Sequence, residues 1–225
     1  MLSAGWQFNW EAARRCAGSR WARGYAPDVA LSTSLVHRRT GRLALVTAVV
    51  TLLGVASLII FYAIGGGPFG FLNDVANGLV GLLSMLLAWL WIPARGTVSN
   101  RLAVAAATVG AIVTVAGSIL IIFDVTGWYL AGLVSSVGNA LIGTWLLASN
   151  RLHRPEAELP RGLILLGVTA GIFMIIGFLA LPGVLARIDD PQLAPLYVNA
   201  GLLNWLGTYL LYPIWCVWLS RRYGG

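Results

Sequence analysis

Six predominantly apolar stretches, each about twenty residues long, constrain this chain more than any motif in it. They run Leu43–Ile64, about Phe71–Ile92, Leu102–Phe123, Trp128–Ala148, about Gly162–Leu185 and about Tyr197–Leu219. About twenty helical residues rise about 30 Å, the thickness of a bilayer's hydrocarbon core. None of the stretches alternates as a barrel strand does. In lipid, backbone polar groups must be satisfied inside the segment, so the expectation is an all-α membrane protein, a six-transmembrane-helix bundle. Composition agrees: hydrophobic residues are 58%, charged residues 10% and the mean hydropathy is +0.80. A soluble chain carries about 25% charge and needs it to cover its surface. A soluble enzyme, a disordered regulator and a free nucleic-acid-binding domain are therefore excluded.

The net charge is +7, and all 15 basic residues are arginine. Without lysine there is no Schiff base and no phosphate-binding loop lysine. A lysine-free chain rich in Ala, Gly, Leu, Val and Arg points to a GC-rich genome and a prokaryotic plasma membrane. Fourteen of the 15 arginines fall on one side of the six stretches, at positions 14, 15, 20, 23, 38, 39, 42, 95, 101, 151, 154, 161, 221 and 222. The other side has Arg187 alone, with Asp74, Asp124, Asp189 and Asp190. By the positive-inside rule both termini are cytoplasmic. The expected organisation is a basic segment over residues 1–41, a membrane domain over 42–220 and a tail over 221–225. In the first segment Trp10, Ala13, Ala17 and Trp21 share a helical stripe among arginines. It reads either as an interfacial helix on anionic lipid or as a leader from a misassigned start codon. The expected partners are the bilayer and other membrane subunits or a second copy, and not nucleic acid.

Aromatic residues cluster at the expected boundaries. Tyr62, Phe69, Trp128, Tyr129 and Tyr197 fall near the outer one; Trp89, Trp91, Trp145, Trp215 and Trp218 fall toward the inner one, where amphipathic rings sit at headgroup level.

The six stretches pair into three consecutive hairpins, each opened by an arginine: Arg42, Arg101 and Arg161. Gly54–Phe61 and Val115–Phe123 carry similar small-residue registers, and each second helix holds an Asn near a Gly, at Asn77/Gly81, Asn139/Gly143 and Asn204/Gly207. The spacing points to a triplicated hairpin, the kind of internal repeat on which transporter folds are built.

Polar residues inside the stretches are costly in lipid and form the default functional hypothesis. Asp74, Asn77, Asn139 and Asn204 make a candidate polar path. Asp74 and Asn77, three residues apart, share one helix face. Asp74 also reads as an N-cap for the second helix, the asparagines as interhelical hydrogen-bond donors, and Thr126 as a cap for the fourth helix, with Asp189-Asp190-Pro191 a solvated turn. Ala106/Gly110 and Gly167/Gly171 are small-residue pairs suited to close helix packing. Trp205, Tyr209 and Tyr212 form an aromatic stripe beside a kink at Pro213.

No cofactor or metal is expected. Both histidines, His37 and His153, lie in connections outside the stretches, and Cys16 and Cys216 lie on the reducing side. Catalytic signatures of membrane proteases, hydrolases and prenyltransferases are missing from the sequence. The reading is an accessory, scaffold or binding membrane subunit without catalysis. The first alternative is a small-solute or ion permease along the polar path. The second is a membrane enzyme at the cytoplasmic face, around His37, His153, Glu156 and Glu158.

Overall fold

The computed structural model describes residues 22–91, 98–151, 159–193 and 195–224. Among these residues the chain is helical, with no strand. Six helices are long and apolar enough to cross a membrane. We label them α1 (Ala22–Ile64), α2 (Phe69–Leu90), α3 (Val98–Ile122) and α4 (Trp128–Arg151), then α5 (Arg161–Leu185) and α6 (Leu196–Tyr223). Two of them are irregular. α5 tightens to a 3-10 helix at Ile176–Ala180, ahead of Pro182. α6 widens to a π turn at Leu206–Leu211, ahead of Pro213. α1 begins before its apolar stretch and runs through residues 41 and 42 without a break. The stripe from Trp10 to Trp21 lies outside the described residues.

Each helix packs antiparallel on the next, and α6 returns to α1, so the six close on one another in chain order. Small residues set the spacing. A Cβ on Gly110 of α3 would stand 2.6 Å from the Gly138 carbonyl of α4. One on Gly171 of α5 would stand 2.9 Å from the Gly143 carbonyl. Gly167 faces the Asn150 amide, Gly81 meets Ala111 and Thr114, and Gly41 meets the backbone of Tyr223 and Gly224. Ala106 is half-buried on α3. Where no side chain intervenes, backbones approach and gain dispersion contacts along their length.

Burial is distributed unlike that of a water-soluble fold. Ala44, Thr47, Ala48 and Thr51 are buried on α1, while Leu45, Leu52, Leu53 and Ile59 face outward. Small and hydroxylated residues line the helix contacts, and large aliphatic ones cover the exterior. The larger buried side chains gather around α6: Tyr212 and Trp215 meet Trp145 of α4, with Leu87, Leu146, Leu163 and Leu219 beside them. Trp145 and Trp215 are 1% and 0% exposed. The expectation that both rings anchor at a headgroup boundary is corrected: they fill the interior, Trp145 edge-on to Trp215 at 6.3 Å. Trp89, Trp128, Trp218 and Tyr62 do lie exposed.

The acidic ends of α1, α3 and α5 are built alike. The amides of Gly66, Val125 and Ile188 donate to the carbonyls of Phe61, Leu120 and Gly183, at 3.0, 2.8 and 3.0 Å. Each bond reaches back five residues over a left-handed residue: Gly65 (φ 72°), Asp124 (φ 52°) and Arg187 (φ 52°). This is a Schellman cap, which satisfies carbonyls left over at a helix end. The next helix is capped from elsewhere. Asp189 accepts from the amides of Gly127 (2.6 Å) and Leu130 (3.0 Å) at the start of α4. Thr126, expected as that cap, has a buried hydroxyl without a partner. Gly127 makes room for the carboxylate, since a Cβ there would stand 2.5 Å from Asp189 Oδ2.

Candidate functional site

The polar residues of the interior are distributed around α6. On one side of it stands α2. Asp74 lies more than one turn inside α2, whose N-cap is Pro68, so the capping role expected for Asp74 is corrected. Its carboxylate is half-buried and accepts from Asn73 Nδ2 at 3.4 Å. Asn73 is itself buried, with its Oδ1 unpartnered near Gly54 of α1. At 100° per residue, Asn73, Asn77 and Asp74 cover one contiguous sector of α2. Asn77 Oδ1 accepts a short hydrogen bond from the Tyr209 hydroxyl of α6. Two turns toward the arginine-rich end, Ser84 Oγ and the Tyr212 hydroxyl lie 2.9 Å apart, and Ser84 also donates to the Val80 carbonyl at 2.7 Å.

On the other side of α6 stand α4 and α5. Asn204 is fully buried, and its Nδ2 donates to the Met174 carbonyl of α5 at 2.6 Å. Gly177 of α5 lies between Asn204 and α4: a Cβ there would stand 2.6 Å from Asn204 Nδ2 and would also strike the Ser136 carbonyl. Asn139, one turn beyond Ser136, is buried on α4. The four candidate path residues thus form two groups. Asp74 and Asn77 meet Tyr209 between α2 and α6. Asn204 and Asn139 lie toward α5 and α4. The body of α6 separates the groups, because residues 204 and 209 point to different sides of the helix.

Sequence reading missed Tyr209 as the partner of Asn77. It placed Tyr209 in an aromatic stripe, where it does stand edge-on to Trp205 at 4.9 Å. Tyr212 leaves that stripe and stacks on Trp215 inside the core. Thr208 and Ser84 were also missed; a hydroxyl on an apolar helix carries no signal until its neighbours are known.

Two shallow grooves mark the exterior. One of about 410 Å³ is lined by Ile214, Val217, Trp218, Arg221 and Arg222. The other, of about 400 Å³, is lined by Trp89, Arg101, Val104, Ala105, Thr108 and Val109. Both combine a tryptophan with arginine at the arginine-rich end. There His37 stacks on Tyr223 at 4.6 Å. His153, Glu156 and Glu158, named for an enzymatic reading, lie outside the described residues. Among the described residues no three His, Cys, Asp or Glu side chains gather as a metal site, and the free thiol of Cys216 is buried.

Comparison of the chain with protein-family models, curated proteins and solved structures finds no match. The class defined by its own features is a helical protein with six helices of membrane-crossing length and apolarity.

Proposed function

We propose that the chain is a polytopic protein of a prokaryotic plasma membrane, a six-helix bundle of three repeated hairpins, with both termini cytoplasmic. Within the membrane it acts as a non-catalytic accessory or scaffold subunit, with other membrane subunits or a second copy as partners. The observation carrying this reading is the packed arginine-rich half, where Tyr212, Trp215, Trp145, Leu87 and Leu219 are buried against one another. A side-chain core of that kind offers no continuous polar route. The outward aliphatic surface and the tryptophan–arginine grooves support a lipid setting, since both residue types favour the interface. The matching Schellman caps after α1, α3 and α5 support the repeat.

The test is native mass spectrometry of the chain extracted from its own membrane, paired with ion flux in proteoliposomes. The reading expects a stoichiometric complex, with another subunit or with itself, and no flux from the chain alone. A lone monomer that conducts overturns it. One observation favours the permease as second reading: Asp74, Asn77 and Tyr209 form a polar cluster in the acidic half. That reading expects flux abolished by Asp74→Asn.

A further inference from the structure

The last turns of α6 have two distinct faces. Tyr212, Trp215, Cys216 and Leu219 are buried in the core. Ile214, Val217, Trp218, Arg221 and Arg222 line the outer groove of about 410 Å³. This second set recurs at intervals of three and four, so at 100° per residue it covers a sector of about 140° and about 12 Å of helix. One end of the stripe is apolar, the other carries two guanidiniums, and no carboxylate lines the groove. Side chains on a helix lean toward its N-terminus, so both arginines lean back over the turn that holds Val217 and Trp218. Trp218 is held from behind: a Cβ on Gly162 would stand 2.7 Å from its Cη2. The indole therefore lies against the first turn of α5, which Pro160 caps without a side-chain hydrogen bond. The positive end of α5 thus adjoins the groove.

We infer that this groove binds one phospholipid of net negative charge, with its phosphodiester on Arg221 and Arg222 and an acyl chain along Ile214, Val217 and Trp218. The groove is two-sided in chemistry over a single short stripe, and a lipid is the occupant that is anionic at one end and apolar at the other. Guanidinium forks match phosphate oxygens, and basic pockets between membrane helices recur as headgroup sites. A choline headgroup would bring a third cation beside the two arginines. Free phosphate leaves the apolar wall unused. A partner helix, about 10–12 Å across, needs more room than this volume gives along the same length. The other groove has one arginine, Arg101, and its Trp89 Nε1 donates to Thr108 Oγ1 at 3.0 Å. It serves as the control. The site goes beyond the accessory role and rests on the membrane setting proposed above.

Native mass spectrometry of the purified full chain in neutral detergent tests it, by titration with dioleoyl phosphatidylglycerol against dioleoyl phosphatidylcholine. The expected result is one retained lipid, with phosphatidylglycerol preferred at least about tenfold. Arg221→Gln should weaken phosphatidylglycerol about fivefold, and Arg221→Gln with Arg222→Gln should bring it to the level of phosphatidylcholine. Arg101→Gln should leave the first binding step unchanged, and excess inorganic phosphate should not displace the lipid. Equal retention of the two lipids by the native chain overturns the site, and this comparison needs no variant. Full preference in the double variant also overturns it, as does displacement by inorganic phosphate. A protein complex that the double variant loses would assign the groove to an acidic partner segment instead. A chain recovered from the soluble fraction without detergent would sink the membrane setting; a detergent-extracted chain that does not choose between the lipids sinks the groove alone.

Discussion

At the scale of single residues, stability rests on what glycine allows and on what each buried polar atom finds. Gly110 and Gly171 lie against backbone, which cannot move aside as a flexible side chain can. Gly110→Ala and Gly171→Ala should each destabilise by about 1–3 kcal/mol, the usual cost of overpacking. Gly132 has nothing within 4 Å of a would-be Cβ. Gly132→Ala should instead stabilise by up to about 1 kcal/mol through helix propensity. Denaturant unfolding of the three variants in micelles checks the contrast, and equal losses would contradict it. The two tyrosines of α6 differ in the same way. Tyr209→Phe leaves Asn77 Oδ1 without its donor, whereas Tyr212→Phe leaves Ser84 its bond to Val80. The first should cost about 1 kcal/mol and the second less, read from the same unfolding curves. Asp74 and Asn77 were legible as a pair from their spacing alone. Tyr209 was not, because a contact between residues 77 and 209 depends on how α2 and α6 pack.

At the scale of elements, the turns at the acidic end carry testable energy. Arg187 takes the left-handed cap position that Gly65 occupies in the first hairpin. A side chain there costs about 1–2 kcal/mol, and glycine gives part of that back as unfolded-state entropy. Arg187→Gly should therefore stabilise by about 0.5–1 kcal/mol, measured as a higher thermal midpoint; a lower one would show that Arg187 has a stabilising role the cap does not account for. Asp189 joins the turn after α5 to the start of α4, caps two orphan amides and favours the positive end of the helix. Asp189→Ala should cost about 1 kcal/mol and speed hydrogen exchange at Gly127 and Leu130. The sequence pointed to Thr126 for this cap because local caps are the commoner kind. A cap donated across 62 residues has no local signature.

At the scale of the whole molecule, the arginine distribution predicts an orientation that can be measured. Single cysteines at position 66 and at the exposed position 125 should react with a membrane-impermeant thiol reagent added to intact cells. Reporters fused after residue 225 should be active only in the cytoplasm; labelling of the opposite pattern would invert the topology. The number of long apolar helices, their approximate limits and the segregation of charge were all written in the sequence. They depend on local apolarity, helix length and charge, and each of these is summed along the chain. Other features needed the tertiary structure. The interior position of Trp145 and Trp215, the split of the asparagines to either side of α6, and the pairing of Tyr209 with Asn77 follow from which helix faces meet. In helices this uniformly apolar, hydrophobic periodicity marks no inward face. Glycine contacts and a few hydrogen bonds choose it instead, and those act between residues far apart in sequence.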